Sequence, residues 1–538
     1  MTRLQEQILI LLSCVYPVIL HAQTTLQTME EQANKLRAYG RYEEEASLYR
    51  RGAEAGEPRG MAMLGYMHYT GEGVPRDYAE AVKWSRKAAD AGDLRAMATL
   101  CLANAEGKGV SQNYVEALSL CRRSAEAGEP AGMAVLGILY EFGRGVTKDE
   151  PAAVVWYRKA AEAGWSAGMN YLGRMYANGK GVGKNEREAV LWYRKSADTG
   201  DPRGMFNLGF VYAQGRGETK DLAEAFRWYR KASDGGDPLA MVNLGSFYHL
   251  GLGVGKDDTQ ALRWYRKAAE AGEALAMTNL GDMYVSGRGV TKDESEAVRW
   301  YRTAAEAGNA RGMLDLGVAY MKGSGGVGKD ETEAVRWFRK AADAGNALAM
   351  RNLGIQYQVG GGVPKDLTEA VRWFRKAADA GELSSLQRLG LMYDYGLGVA
   401  KDKTEAFRLY QKAADAGVPE GMNSIGVQYE FGHGVGKDEK EAVRWYRKAA
   451  DAGLALSMTN LGHMYETGRG VSKDQTEAVR WYRKAAETGY ARGLTSLGAM
   501  YEHGRGVPKD KKEAERLYRK AAEQGDYEAR LMLNRISH

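Results

Sequence analysis

Residues 273–308 read EALAMTNLGDMYVSGRGVTKDESEAVRWYRTAAEAG, and this stretch decides the fold. Met277, Leu280, Gly281 and Tyr284 follow one another at spacings of three and four residues. Such spacing puts side chains on one face of a helix, so we predict an amphipathic segment here, called helix A below.

A second helix, helix B, is predicted in the same stretch. Gly287 ends helix A, because glycine adopts a positive φ at little cost. Asp293 and Glu296 form a capping-box pair in which the aspartate caps helix B and the glutamate reaches back. Gly308 then ends helix B. The predicted buried side of helix B consists of Ala297, Val298, Trp300, Tyr301 and Ala304.

This pattern repeats along the chain. A glycine equivalent to Gly308 recurs every 36 residues from Gly56 to Gly525, with a single step of 37. Thirteen repeats therefore fill residues 57–525, with a partial unit at 23–56 and a half unit at 526–538 that serves as a cap. Neither helix of a hairpin can bury its apolar face alone, so we predict an all-α fold, an α/α solenoid of stacked hairpins. Positions are counted from the first residue of each repeat, so Met277 is position 5 of repeat 7.

Residues 1–22 have the features of a secretory signal peptide. Arg3 precedes an apolar stretch that ends near Ala22, where we expect cleavage. The cysteine in Leu12-Ser13-Cys14 also fits a lipoprotein signal, which stays open as an alternative. No later stretch is apolar enough to be a transmembrane segment. The chain contains no Asn-x-Ser/Thr sequence, so we expect export to a bacterial periplasm or secretion.

Composition excludes several classes of protein. The chain of 538 residues has three cysteines and seven histidines, too few for a disulfide-rich scaffold or for repeated metal sites. Its 75 cations and 69 anions are mixed along the chain, as in Arg447 and Asp451 at i, i+4, so we expect no nucleic-acid partner.

The segments Leu-Gly-x-x-Tyr, Gly-x-Gly-Val-x-Lys-Asp and Glu-Ala-Val-Arg-Trp-Tyr-Arg-Lys-Ala-Ala closely resemble the Sel-1-like repeat family, a relative of the tetratricopeptide repeat. The resemblance covers nearly all of the chain after residue 22. It implies a superhelix that acts as an adaptor by holding other proteins. A cysteine-rich secreted branch of this family is linked to β-lactam binding and hydrolysis, but this chain lacks that branch's cysteine pair in each repeat.

Motifs for catalysis or cofactor binding have structural explanations. Residues 323–330 read GSGGVGKD, but Asp330, a predicted helix cap, stands where a phosphate loop needs Ser or Thr. The histidines show no metal-ligand spacing, and no Gly-x-Ser-x-Gly nucleophile motif occurs. We therefore predict no catalytic residues, no metal and no cofactor.

Ten of the eleven tryptophans occupy one position of helix B, which predicts core packing rather than ligand binding. Trp165 is the exception, because it lies at a turn between repeats.

Binding residues are predicted where the repeats differ. Positions 6, 7, 10, 13 and 14 of helix A vary, so we expect them to lie off the packing face, on a concave recognition surface. Asparagine at position 7 can bond to a peptide backbone or, alternatively, to a neighbouring repeat. The predicted partner-binding residues are Asn207, Asn243, Asn279, Asn352, Asn460, Arg388, Phe206, Phe210, Tyr171 and Arg174. Repeats 4 and 5 are the richest in them.

Repeat 2 departs from the pattern in two places. Cys101 replaces the glycine at position 9, and Cys121 stands at position 29, where most repeats have Tyr or Phe. An antiparallel hairpin brings these positions opposite one another, so we predict a disulfide in an oxidising compartment. Alternatively, two small buried residues fill the space of the missing tyrosine.

The sequence favours an exported scaffold that binds proteins or peptides. A secreted β-lactam or cell-wall hydrolase and a glycan- or peptidoglycan-binding module remain as alternatives.

Overall fold

The computed structural model describes residues 29–37 and 39–537, and the regular secondary structure of this part of the chain is 29 helices and no strand. The all-α solenoid of helical hairpins is confirmed. The predicted signal peptide, residues 1–22, lies outside the described residues.

Two compact units divide the chain at Ala271 and Gly272. Helix α1 covers 29–37, and the other helices of unit 1 are α2 Tyr42–Glu54, α3 Pro58–Thr70, α4 Tyr78–Asp90, α5 Leu94–Glu106, α6 Tyr114–Glu126, α7 Pro130–Phe142, α8 Glu150–Glu162, α9 Ser166–Asn178, α10 Glu186–Asp198, α11 Pro202–Gln214, α12 Leu222–Asp234, α13 Pro238–Leu250 and α14 Asp258–Glu270. Unit 2 contains α15 Ala274–Ser286, α16 Glu294–Glu306, α17 Ala310–Lys322, α18 Glu331–Asp343, α19 Ala347–Val359, α20 Leu367–Asp379, α21 Ser384–Tyr395, α22 Lys403–Asp415, α23 Pro419–Phe431, α24 Glu439–Asp451, α25 Ala455–Thr467, α26 Gln475–Glu487, α27 Ala491–His503, α28 Lys511–Glu523 and α29 Tyr527–Ser537. From α3 onward, odd numbers are A helices and even numbers are B helices.

Helix ends follow the predicted capping residues, with one correction. The Asp293 side chain accepts from the backbone N–H groups of Ser295 and Glu296 at 2.9 and 3.0 Å. Gly287 caps helix A with φ 67°. Glu296 does not reach back as predicted; its carboxylate accepts from Arg299 at 2.8 Å instead. Glu296 and Arg299 are three residues apart on helix B, a spacing at which opposite charges pair favourably.

The glycine at position 9 lets the two helices of a hairpin approach closely. A Cβ atom added at Gly281 would lie 2.3 Å from the ring of Tyr301, the aromatic residue at position 29 of helix B. Leu280, Ala297 and Ala304 are completely buried around this contact. The same glycine–aromatic contact occurs in repeats 3–13, so it is the basic packing unit of the fold.

The tryptophan row lies at the edge of the core rather than inside it. Trp192, Trp264, Trp373 and Trp481 are buried, while the rest of the row is half-buried. A lysine three residues further on covers the outer ring face, as Lys376 does at 4.2 Å from the Trp373 ring centroid. The row therefore joins the core to the solvated face of helix B.

The arginine two residues after each tryptophan usually connects repeats. Arg302 donates to the Tyr320 hydroxyl of the following repeat at 3.0 Å. Arg447 likewise donates to Tyr465, so the predicted i, i+4 pair with Asp451 is replaced by a contact between repeats.

Within the described residues, no helix combines the length and apolar character needed to cross a membrane.

Candidate functional site

In unit 1, successive A helices from α3 to α11 pack more closely than successive B helices do. In unit 1, α3 contacts α5, α5 contacts α7, α7 contacts α9 and α9 contacts α11. No two successive B helices of the described residues are packed as closely. The A-helix side of unit 1 is thus the more closely packed side from α3 to α11, and residues of these A helices line both cavities described next.

Groove 1 is a cavity of about 410 Å³ that extends from α1 across α3, α5 and α7 to the start of α9. Its walls combine aromatic, aliphatic and charged side chains. The aromatic residues are Tyr66, Tyr69, Trp165 and Tyr171, and the charged residues are Arg37, Arg95 and Glu106. Sequence reasoning missed Tyr66 and Tyr69, although both occupy variable positions of helix A, which was the available signal.

Trp165 is half-buried at the rim of groove 1. The Arg95 guanidinium lies 5.8 Å from the centre of its ring. One face of this exceptional tryptophan is thus held by a cation from repeat 2, and the side chain forms part of the groove wall.

Groove 2 is a cavity of about 400 Å³ between repeats 4 and 5. The structure brings together here five of the predicted site residues, namely Tyr171, Arg174, Phe206, Asn207 and Phe210. Tyr171 also lines groove 1, so the two grooves meet at this residue.

Two arginines accompany the phenylalanines of groove 2. Arg203 lies 5.5 Å from the Phe206 ring centroid and Arg216 lies 5.7 Å from that of Phe210. Phe210 is 41% exposed, a large fraction for an aromatic side chain. Aromatic faces beside cations suit a ligand that carries both apolar groups and carboxylates.

Arg174 is held by a structural partner. Two of its nitrogens donate to the two carboxylate oxygens of Glu141 at 2.7 and 2.6 Å, and the Tyr157 hydroxyl donates to the same carboxylate at 2.7 Å. Burial opposes ionisation of Glu141, but these hydrogen bonds lower the pKa of this carboxyl group below its ordinary value.

This tyrosine–carboxylate–arginine network corrects the expectation that position 13 lies off the packing face. Glu141, Glu430 and Glu502 occupy position 13 and are only 2, 7 and 9% exposed. The Tyr518 hydroxyl and Arg535 bind Glu502 in the same arrangement, at 2.8 and 2.7 Å. Sequence reasoning missed these networks because the arginine comes from the following repeat or half unit.

The asparagines at position 7 are half-buried and differ in their contacts. Asn207 donates to Asn170 of the preceding repeat at 3.1 Å, and Asn460 donates to Asn423 at 3.0 Å. Asn243 donates instead to a carbonyl of its own helix, at 2.9 Å. The geometry favours the alternative of bonding between repeats for Asn207 and Asn460.

Asn279, Asn352 and Arg388 belong to unit 2. The two asparagines have no side-chain hydrogen-bond partner among the residues that the structure describes. Arg388 is half-buried, and burial together with the nearby Arg351 cation lowers the pKa of its guanidinium.

Cys101 and Cys121 are joined as a disulfide between α5 and α6, with their Cα atoms 5.5 Å apart. Both are completely buried. They occupy the place that the glycine–aromatic contact fills in repeats 3–13.

No group of three or more His, Cys, Asp and Glu side chains in the described part of the chain is arranged to hold a metal ion.

The repeat matches a known family throughout. The family model described as Sel1 repeat matches thirteen consecutive segments, at 58–93, 94–129, 130–165, 166–201, 202–237, 238–273, 274–309, 310–346, 347–382, 383–418, 419–454, 455–490 and 491–526. The chain belongs to the Sel1 repeat family. Each family segment begins one residue after the repeat boundary set by the glycines.

Solved structures include other Sel1 repeat proteins. One is c5321, described as a protective antigen present in uropathogenic Escherichia coli strains displaying an SLR fold. It is 32% identical over 85% of this chain and 97% of its own, with a TM-score of 0.54. A Sel1 repeat protein from Oxalobacter formigenes is 31% identical over 62% of this chain and 94% of its own, with a TM-score of 0.46. No curated protein matches the chain.

Proposed function

We propose that this Sel1 repeat protein is an exported scaffold that binds an extended segment of another protein in grooves 1 and 2. The observation that carries the proposal is the meeting of the two grooves at Tyr171, which gives a binding surface along five successive A helices, α3 to α11. Inner faces of stacked helical hairpins are extended binding surfaces in repeat proteins.

The side chains that line grooves 1 and 2 indicate which kind of partner segment they would bind. Phe206 and Phe210 supply apolar contact area, and Trp165 supplies a second aromatic surface in groove 1. Arg95 and Arg216 lie beside these rings, so carboxylates next to apolar side chains would be favoured in the partner. The carbonyl oxygen of Asn207 has no donor among the described residues and would accept from the partner's backbone.

Export is part of the proposal and rests on three observations. Residues 1–22 have the composition of a signal peptide. Cys101 and Cys121 are placed as a disulfide, a bond that persists in oxidising compartments. The similar protein c5321 is a protective antigen, a property that fits a protein outside the cytoplasm.

Site-specific photocrosslinking tests the groove directly. Benzoylphenylalanine replaces Phe210 in groove 2 or, as the matched control, Leu191 on the opposite B-helix side, which is 53% exposed. Irradiation of living cells should give a discrete protein adduct from position 210 and none from position 191. Equal adducts at both positions, or none at position 210, would refute the groove as the binding site.

A glycan is the second candidate ligand, because four aromatic side chains line groove 1. Flat aromatic faces with a polar rim suit sugar rings as well as peptides. Co-sedimentation with insoluble peptidoglycan separates the two. The glycan is favoured if the chain is retained on peptidoglycan, if Tyr66→Ala/Trp165→Ala loses this retention and if Leu191→Ala keeps it. If the unmodified chain is not retained, the protein ligand is favoured.

A further inference from the structure

Unit 2 carries a row of exposed apolar side chains. Val359, Tyr395 and Phe431 are the last residues of the A helices α19, α21 and α23, and each occupies position 14 of its repeat. They are 63, 67 and 55% exposed. We call these three large apolar groups, which occupy the same position of three consecutive repeats, the apolar row. Single exposed apolar residues are common on protein surfaces, but three at one position of consecutive repeats call for an explanation.

Lysines without carboxylate partners lie beside this row. In repeat 11, as in several other repeats, the lysine at position 20 pairs with an acid two residues later, as Lys437 does with Glu439 at 3.0 Å. In repeats 9 and 10 that acid is replaced by Leu367 and Lys403. Lys365 and Lys401 consequently have no ion pair among the described residues, and both are exposed.

These lysines are held next to the apolar row. Each packs its Cβ against the glycine that directly follows the row residue, since a Cβ added at Gly360 or Gly396 would lie 3.3 or 3.1 Å from that of Lys365 or Lys401. The backbone of each lysine is therefore fixed beside the residue that follows Val359 or Tyr395.

Arg388 extends the positive charge along α21. It precedes Tyr395 by seven residues, so both lie on one stripe of the helix, about 10 Å apart along its axis. No ion pair within the described residues involves Arg388, while the neighbouring Arg351 is paired with Glu382 at 3.2 Å. Among the described residues, Arg388, Lys365 and Lys401 are thus cations of this surface that form no ion pair, although Glu382 and Glu420 lie near Arg388.

We propose that the apolar row, with Lys365, Lys401 and Arg388, is a docking surface for an acidic segment of a partner protein that also carries aliphatic or aromatic side chains. Apolar side chains of the segment contact the row, and flanking Asp and Glu residues pair with the cations. This surface shares no residue with grooves 1 and 2, because all of its residues belong to unit 2.

Position 14 of unit 1 provides a matched comparison. Phe142 and Leu250 are 55 and 63% exposed, as in the apolar row. Repeats next to theirs have polar residues at this position, so neither has an apolar neighbour there. Their lysines, Lys148 and Lys256, are paired with acids at 2.9 and 3.7 Å. Phe142 and Leu250 are therefore as exposed as the residues of the apolar row. They differ from the row because the adjacent repeats have polar residues at position 14 and because their lysines are paired with acids.

Peptide selection tests the proposal. A phage library of random peptides is panned on the immobilised full chain after depletion on a Tyr395→Ser/Phe431→Ser variant. We expect enriched peptides to be rich in Asp and Glu and to contain aliphatic or aromatic residues. Affinity of the synthetic peptides should fall about tenfold or more in Tyr395→Ser/Phe431→Ser and in Lys365→Glu/Lys401→Glu. The Phe142→Ser/Leu250→Ser control should bind like the unmodified chain.

Other outcomes would overturn the proposal. The acidic partner is refuted if no peptide is enriched after depletion or if the enriched peptides are basic. It is also refuted if Lys365→Glu/Lys401→Glu leaves peptide binding unchanged. If the unmodified chain sediments as a dimer and the Tyr395→Ser/Phe431→Ser variant as a monomer, the row is instead an interface between copies of this chain. Since the substituted side chains are exposed, the melting temperature of every variant should match that of the unmodified chain and so exclude misfolding as the cause.

Discussion

Removal of the Cys101–Cys121 disulfide should destabilise repeat 2 by an amount that can be worked from the structure. The bond closes a loop of 20 residues between α5 and α6. Loss of such a cross-link increases the entropy of the unfolded chain and costs about 3 kcal/mol. Both cysteines are fully buried, so simple reduction of the folded protein would be slow. Substitution of both residues is therefore the cleaner perturbation.

Two double variants separate the cross-link from packing. Cys101→Ala/Cys121→Ala removes the bond and leaves space between the helices. Cys101→Gly/Cys121→Phe restores the glycine–aromatic contact of repeats 8 and 9, where Phe338 and Phe374 pack on Gly317 and Gly354. Phenylalanine is chosen over tyrosine because position 13 of repeat 2 is Ala105, which offers no carboxylate to a hydroxyl group.

Amide hydrogen exchange of peptides from α5 and α6 is the appropriate assay, because a solenoid opens locally rather than as a whole. We expect exchange in Cys101→Ala/Cys121→Ala to be about 100-fold faster than in the oxidised chain, and Cys101→Gly/Cys121→Phe to recover part of this loss. Peptides from α27 and α28 serve as the internal control and should not change. Two free thiols in protein from its native compartment, or unchanged exchange in the alanine variant, would refute the reasoning.

Four further predictions concern the remaining features. Glu141→Gln should cost about 1–3 kcal/mol in thermal unfolding, because it weakens charged hydrogen bonds from Arg174 and Tyr157. The pKa of Glu141 is lowered in the folded state, so its contribution is present above the ordinary glutamate pKa and is lost as pH falls below it; the variant should lack this acid sensitivity. Burial and the Asp282 charge raise the pKa of Asp315 to about 6, so its contribution is present below its unfolded pKa and is lost as pH rises through about 6. Asp315→Asn should consequently be more stable than the unmodified chain at pH 8, on the order of 2 kcal/mol in denaturant unfolding, and no more stable at acidic pH. Ala177→Glu/Phe210→Arg should raise the melting temperature and abolish partner crosslinking from groove 2. The crosslinker is placed at position 206 in this experiment, and crosslinking that persists in a stabilised variant would contradict the prediction. The purified chain should turn over a chromogenic β-lactam no faster than the Cys101→Ala/Cys121→Ala variant or buffer, and turnover that co-purifies with the folded chain would instead support the hydrolase.

The fold was predictable because its determinants are local and repeated. The glycine at position 9 and the aromatic residue at position 29, such as Gly281 and Tyr301, lie in one hairpin and specify one contact. Aspartate caps such as Asp293 act within a few residues of their own position. A pattern of this kind appears in each repeat and can be recognised from one sequence.

The candidate site was only partly predictable because its contacts cross repeats. Phe206, Asn207 and Phe210, at the variable positions 6, 7 and 10, line one cavity because they share a helix face. The pairing of Arg174 with Glu141 links residues 33 apart and depends on how one hairpin stacks on the next. Variable positions therefore include both ligand-facing residues and residues that fix the stacking, and sequence variation alone does not separate them.

The residues at positions 10 and 13 determine whether neighbouring A helices are joined by a stacking network or leave a groove for a ligand. Where position 13 is a glutamate and position 10 of the next repeat is an arginine, as in Glu141 and Arg174, the two side chains fill the space between neighbouring A helices. In the next pair of repeats the same positions hold Ala177 and Phe210, and groove 2 opens there. Tyr193 still occupies position 29 and would supply the hydroxyl group that Tyr157 gives to Glu141. The groove thus lies where the stacking network is missing, so the Ala177→Glu/Phe210→Arg exchange should close the groove and strengthen the stack.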